Sequence, residues 1–120
     1  MSILISAILA VSVQAAMPAA DVASEELVAG RDAAAIATIM TNDRLEETDP
    51  ARLINLGVAH ARKGEDAQAR RCFEAAMQAD GTLFLETTEG RWIKARRIAA
   101  RSLAMLDRGA FADATMVASR

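Results

Sequence analysis

Side chains that carry chemistry are scarce in this chain, with one cysteine, one histidine and no tyrosine among 120 residues. A lone Cys72 excludes an intramolecular disulfide, so packing alone must hold the fold. Cys72 falls on an apolar helical stripe, where a free cysteine acts as a small buried hydrophobe; the alternative is a disulfide-linked dimer. His60 and Cys72 cannot complete a tetrahedral metal site without carboxylates converging from elsewhere, and both stand at positions that read as packing. There is no glycine-rich phosphate loop and no strand to precede one. The acidic run 43–49 lacks the spacing and glycine of a calcium loop, and reads as a solvated linker. No catalytic, cofactor-binding or metal-binding residue is therefore expected, and the chain is read as a non-enzyme.

Aromatic residues are also few: Phe73, Phe84, Phe111 and Trp92. Alanine dominates the apolar fraction, which favours helices in close approach. Strand formers cluster only at Leu83-Phe84-Leu85, too brief for a sheet, so the expected class is all-α. Trp92 is expected in the core, as the side chain large enough to fill the gaps left by alanine.

At the N-terminus, residues 3–13 are apolar and end in Val13-Gln14-Ala15, with Pro18 beyond. This is the pattern of a signal peptide over residues 1–15 cleaved before Ala16, although no Lys or Arg precedes the run. Extended to Ala20, the same segment reaches the lower limit of a membrane span, so an anchor is the alternative.

Residues 50–81 hold the strongest periodicity. Pro50 can open a helix, and Leu53, Leu56, Gly57 and His60 recur on one face. Gly64 breaks the chain, and Ala69, Cys72, Phe73 and Ala76 make the stripe of a second helix that stops at Asp80-Gly81. Gly57 and Ala69 are the small residues that let the two backbones approach. Moreover, Gly30-Arg31-Asp32-Ala33-Ala34-Ala35 returns as Gly64-Glu65-Asp66-Ala67-Gln68-Ala69, displaced by 34 residues. Leu56-Gly57, Gly64, Ala69, Phe73 and Ala76 at this mutual spacing resemble the tetratricopeptide repeat, whose period is also about 34 residues. Leu53, His60 and Gly81 depart from the family's preferred Trp, aromatic and Pro. The resemblance implies an antiparallel helix-hairpin stack, a tetratricopeptide-like α-α superhelix, with residues 16–49 a degenerate preceding repeat and acidic linker.

A connector at 82–90 carries the turn signal Glu89-Gly90. From 91 to 108, Trp92, Ala95, Ala99, Leu103 and Leu106 form an apolar stripe, with Lys94, Arg97, Arg101 and Arg108 roughly opposite. This C-terminal amphipathic helix, followed by a tail to residue 120, caps the repeat core. The net charge of −2 conceals an asymmetry. Residues 21–50 hold eight acids and two Arg, a balance of −6, whereas residues 91–108 hold six bases and one acid, a balance of +5.

The resemblance implies a protein-protein adaptor or scaffold, because the first helix of each pair lines a concave binding face in that family. The partner-binding residues would then be Ile54, Asn55, Val58 and Arg62, with Asn55 holding a peptide backbone and Arg62 a carboxylate. The alternative is a peripheral binder of anionic surfaces (acidic protein, lipid headgroups or nucleic acid) through Lys94, Arg97, Arg101 and Arg108. Nucleic acid is the least expected of these at this charge balance, and self-association is open. The leader points to a periplasmic or secreted protein of the bacterial envelope.

Overall fold

A computed structural model describes residues 11–12 and 22–111. The elements are β1 (Val11–Ser12), α1 (Ser24–Val28), α2 (Asp32–Met40), α3 (Pro50–Arg62), α4 (Asp66–Ala76), β2 (Phe84–Thr87), β3 (Trp92–Lys94) and α5 (Ala95–Asp107). The chain is thus mostly helical, with a small antiparallel sheet of order β1-β2-β3. Of the segment read as a leader, only the backbone pairing of Val11–Ser12 with Thr87 and Glu86 falls within the described residues. Among those residues no helix is long and apolar enough to cross a membrane.

Helix α3 is central. Asp49 caps it by accepting a hydrogen bond from the Arg52 amide at 2.9 Å, and Pro50 supplies the first helical position, where its missing N–H costs nothing. Residues on every side of α3 are buried, from Ala51 to Arg62, so other elements surround it. On one side it pairs antiparallel with α4. Gly57 makes that approach possible: a Cβ there would lie 2.5 Å from Cε1 of Phe73. The Phe73 ring, fully buried against this bare backbone, stacks on Phe111 with centroids 5.9 Å apart. Phe73 is the largest fully buried side chain, so the gap-filling role expected of Trp92 belongs to it.

The 34-residue repeat has a conformational counterpart. Gly30 and Gly64 both adopt left-handed backbone, with φ of 76° and 79°. In each case the glycine N–H returns to the carbonyl three residues back, Leu27 or Ala61, at 3.1 Å. The next N–H returns five residues, from Arg31 to Glu26 and from Glu65 to His60. This double closure satisfies the last carbonyls of a helix and needs positive φ, which glycine adopts without strain. Helices α2 and α4 then start at the equivalent Asp32 and Asp66, and bury the equivalent pairs Ala35/Ala69 and Ile39/Phe73.

The sequence reading fails between residues 82 and 94. Leu83-Phe84-Leu85 is not too brief for a sheet: β2 and β3 form a hairpin, in register Phe84↔Lys94, Leu85↔Ile93 and Glu86↔Trp92. Its turn is closed by bonds from Gly90 N to Thr87 O and from Thr87 N to Arg91 O, both 2.8 Å, with Gly90 at φ 79°. A type I turn followed by a left-handed glycine joins strands in this way. The capping helix therefore begins at Ala95 rather than at 91. Its buried stripe is Ala95, Ile98, Ala99, Ser102 and Leu106, with Leu103 half-buried. Ser102 enters this apolar face by donating its hydroxyl to Ile98 O at 2.8 Å, which satisfies it within the helix.

Candidate functional site

The four residues expected to line a peptide groove lie inside the fold. Ile54, Asn55 and Val58 are fully buried and Arg62 nearly so. What covers them is the chain's own N-terminal segment. Asn55 Nδ2 donates to Val22 O at 2.9 Å, and an Arg62 guanidinium nitrogen donates to Leu27 O at 2.7 Å and to Asp32 Oδ1 at 3.2 Å. Asn55 thus holds a backbone carbonyl and Arg62 a carboxylate, both of the chain itself. The peptide is internal, so these side chains offer no open binding surface.

The basic residues behave differently. Alternation along the hairpin turns Leu85, Thr87 and Ile93 inward and leaves Phe84, Glu86, Trp92 and Lys94 on the other side. Trp92 is 54% exposed and Phe84 46%. They sit diagonally across the two strands, and Lys94 Nζ lies over the Phe84 ring, 6.0 Å from its centroid. Because α5 starts directly after Lys94, its exposed Arg97 and Arg101 extend the same face. Together with Arg91 and Ile93 these residues line a concavity of about 340 Å³. Arg108 stays exposed at the far end of α5, seven residues and roughly 10 Å beyond Arg101, and does not line the hollow.

This face gathers four cations around one concavity. Among the described residues, no carboxylate lies within ion-pair distance of Arg91, Lys94, Arg97 or Arg101. Elsewhere Arg62 pairs with Asp32, Lys63 with Glu65 and Arg70 with Asp107, while Arg31, Arg44, Arg71 and Arg108, which lie outside this concavity, have no such pair among the described residues. The cations also sit at the wrong end of a helix. Lys94 occupies the N-cap of α5 without a side-chain cap bond, the first turn holds Arg96 and Arg97, and no acid accompanies them. A helix N-terminus is already partly positive, so each such placement costs about 0.3–1 kcal/mol unless an anion arrives. Arg96 is otherwise engaged, donating its Nε to Ala79 O at 2.7 Å.

A larger hollow, about 550 Å³, lies between the 46–50 turn and the end of α4, lined by Glu46, Glu47, Asp49, Asp80 and Leu53 among others. Two of its carboxylates already serve the backbone. Asp49 caps α3, and Asp80 accepts from the amide and hydroxyl of Thr82, which hold its carboxyl below the usual range. Among the described residues no group of three or more His, Cys, Asp or Glu is placed to hold a metal ion. Burial pushes the Cys72 thiol up, against the weaker pull of Arg52 and Arg71, while His60 Nδ1 is bonded to Glu65 at 2.8 Å.

Sequence reasoning found three of the basic residues and missed Phe84, Trp92 and Arg91 as their companions. The missing signal was Gly90 set between two short apolar runs, a hairpin pattern. In comparisons with protein-family models, characterised proteins and solved structures, nothing matches this chain.

Proposed function

We propose that this chain is a non-catalytic interaction module that takes an anionic partner on the face formed by the β2–β3 hairpin and the start of α5. One observation carries the reading: four cations without carboxylate partners surround two exposed aromatic rings. Exposed aromatics cost solvation and clustered like charges repel, so folding alone does not account for the pair of features. A partner with negative charge and some apolar surface relieves both.

The adaptor class expected from the sequence is kept, but its binding face moves. The tetratricopeptide-like character of the α3–α4 pair is part of the proposal. It is supported by the Gly57–Phe73 approach and by the matched helix ends at Gly30 and Gly64. Helix α3 serves here as the core of the module, and the helix that follows the pair presents the ligand face. An envelope location, periplasmic or secreted, goes with the proposal through the leader-like residues 1–15.

The test is retention on heparin, a generic polyanion, as a function of salt. The chain's net charge of −2 gives it no overall attraction to such a matrix. Retention that shifts to lower salt in Arg97→Glu/Arg101→Glu, and not in Arg44→Glu/Arg71→Glu, supports the face. Equal behaviour of the two variants overturns it.

A further inference from the structure

We infer that the anionic partner is the headgroup layer of a lipid bilayer, with Trp92 and Phe84 entering the interface and the cations reading phosphate charge; this rests on the anion-binding reading above. Three observations favour lipid over a nucleic-acid strand. First, this face of the hairpin holds two of the large exposed hydrophobic side chains of the described residues, Phe84 at 46% and Trp92 at 54%. Indole and phenyl groups beside Arg and Lys suit the boundary between hydrocarbon and headgroups, where long cationic side chains can still reach charge.

Second, Lys94 Nζ stands over the Phe84 ring. A base stacking on that face would have to displace the ammonium, whereas insertion of the ring into acyl chains leaves the ammonium free to meet a phosphate. Third, Glu86 pairs directly with Trp92 across the strands. A carboxylate there repels the phosphodiester that would follow a base stacked on the indole. A headgroup layer has no such conflict, because its ammonium groups can face Glu86 while its phosphates face Arg97 and Arg101.

Trp92 is the only tryptophan, so its emission reports on this face whatever else in the chain touches a membrane. The full chain is titrated with phosphatidylcholine vesicles, alone or with 30% phosphatidylglycerol (a proportion of about a third, enough to create a negative surface). The expected result is a blue shift and protection from iodide quenching with the anionic vesicles only, fading as salt rises. Arg97→Gln/Arg101→Gln weakens vesicle affinity by roughly 30-fold, at about 1 kcal/mol per cation near the surface. A parallel arm titrates an oligothymidylate and a polyglutamate. Binding of either polymer without a response to anionic vesicles overturns the lipid inference and leaves the anion-binding face standing. Failure of all three probes to move Trp92 emission overturns both.

Discussion

Arg62 donates to the backbone carbonyl of Leu27 at 2.7 Å across a separation of 35 residues, and this bond fastens α1 to the central helix α3. The same guanidinium meets Asp32 at 3.2 Å, where both side chains are largely buried. Removing it takes one of two donors from the Leu27 carbonyl, which keeps the Gly30 N–H, and leaves the part-buried Asp32 carboxylate without its cation. Arg62→Ala is therefore expected to lower unfolding free energy by about 3 kcal/mol. Asn55→Ala, which loses the bond to Val22 O, should cost about 1–2 kcal/mol. Chemical denaturation of each variant checks these values, and near-neutral effects would mean that residues 22–28 are not held by α3.

Acid titration separates two kinds of carboxylate. Asp32 is pushed up, chiefly because burial penalises its charge; Arg62 opposes this, but gives its shorter bond to Leu27. A raised carboxyl binds its proton more tightly in the folded state, so its contribution to stability improves as pH falls through the window extending upward from the ordinary aspartate value. Glu65 is lowered, first by its bond to His60, and Asp80 by the Thr82 amide. Their contributions are present above the ordinary carboxylate values and vanish as pH drops through the lowered ones. Asp32→Asn removes a term that opposes acid unfolding. Between about pH 5 and pH 3 it should lose stability more steeply than the natural chain, as urea midpoints across that range will show.

Gly57 and Phe73 test how tightly α3 and α4 approach. Alanine at 57 would gain about 1 kcal/mol of helix propensity, but its methyl would fall inside the Phe73 ring contact. The ring is pinned by Phe111, so Gly57→Ala should be net destabilising by about 1–3 kcal/mol. In a Phe73→Leu background the clash is gone, and the same substitution should become neutral or stabilising. A double-mutant cycle measures the coupling, and additive effects would show that the two residues do not touch.

The contrast between what was and was not legible in the sequence follows from how many residues each feature uses. Gly30 and Gly64 were readable because left-handed helix ends call for glycine, and the closures recur with their flanking Asp and Ala. Gly57 was readable because a close helix crossing needs a residue without Cβ. Strand β3 was not, because Ile93 is its sole inward side chain and one residue shows no period of two. Trp92, Ala95 and Ala99 also fit a helical stripe, which absorbed the strand. The misplaced groove had a visible warning. Ile54 and Val58 stand opposite Leu53 and Leu56, and a helix apolar on both sides is one buried all round.

Lys94 is where stability and binding should pull apart. It occupies the N-cap of α5 with φ −57° and ψ 132°, the extended backbone that a capping residue adopts, yet lysine cannot accept a hydrogen bond from the first turn. Asp at this position can accept from the free amide of Arg96 or Arg97, and it replaces a charge that opposes the helix dipole with one that matches it. The gain from both terms is about 1–2 kcal/mol. Against it stands the contact of Lys94 with the exposed Phe84 ring, worth about 0.5 kcal/mol. Lys94→Asp should therefore raise unfolding free energy by about 1 kcal/mol, a rise of several degrees in Tm. The same change places a negative charge in the concavity lined by Arg97 and Arg101, so retention on heparin should shift to lower salt. Calorimetry and the salt elution point together decide the matter. A more stable variant with weaker retention shows that lysine is kept at this cap for binding; a less stable variant, or one with unchanged retention, removes that explanation for the charge cluster.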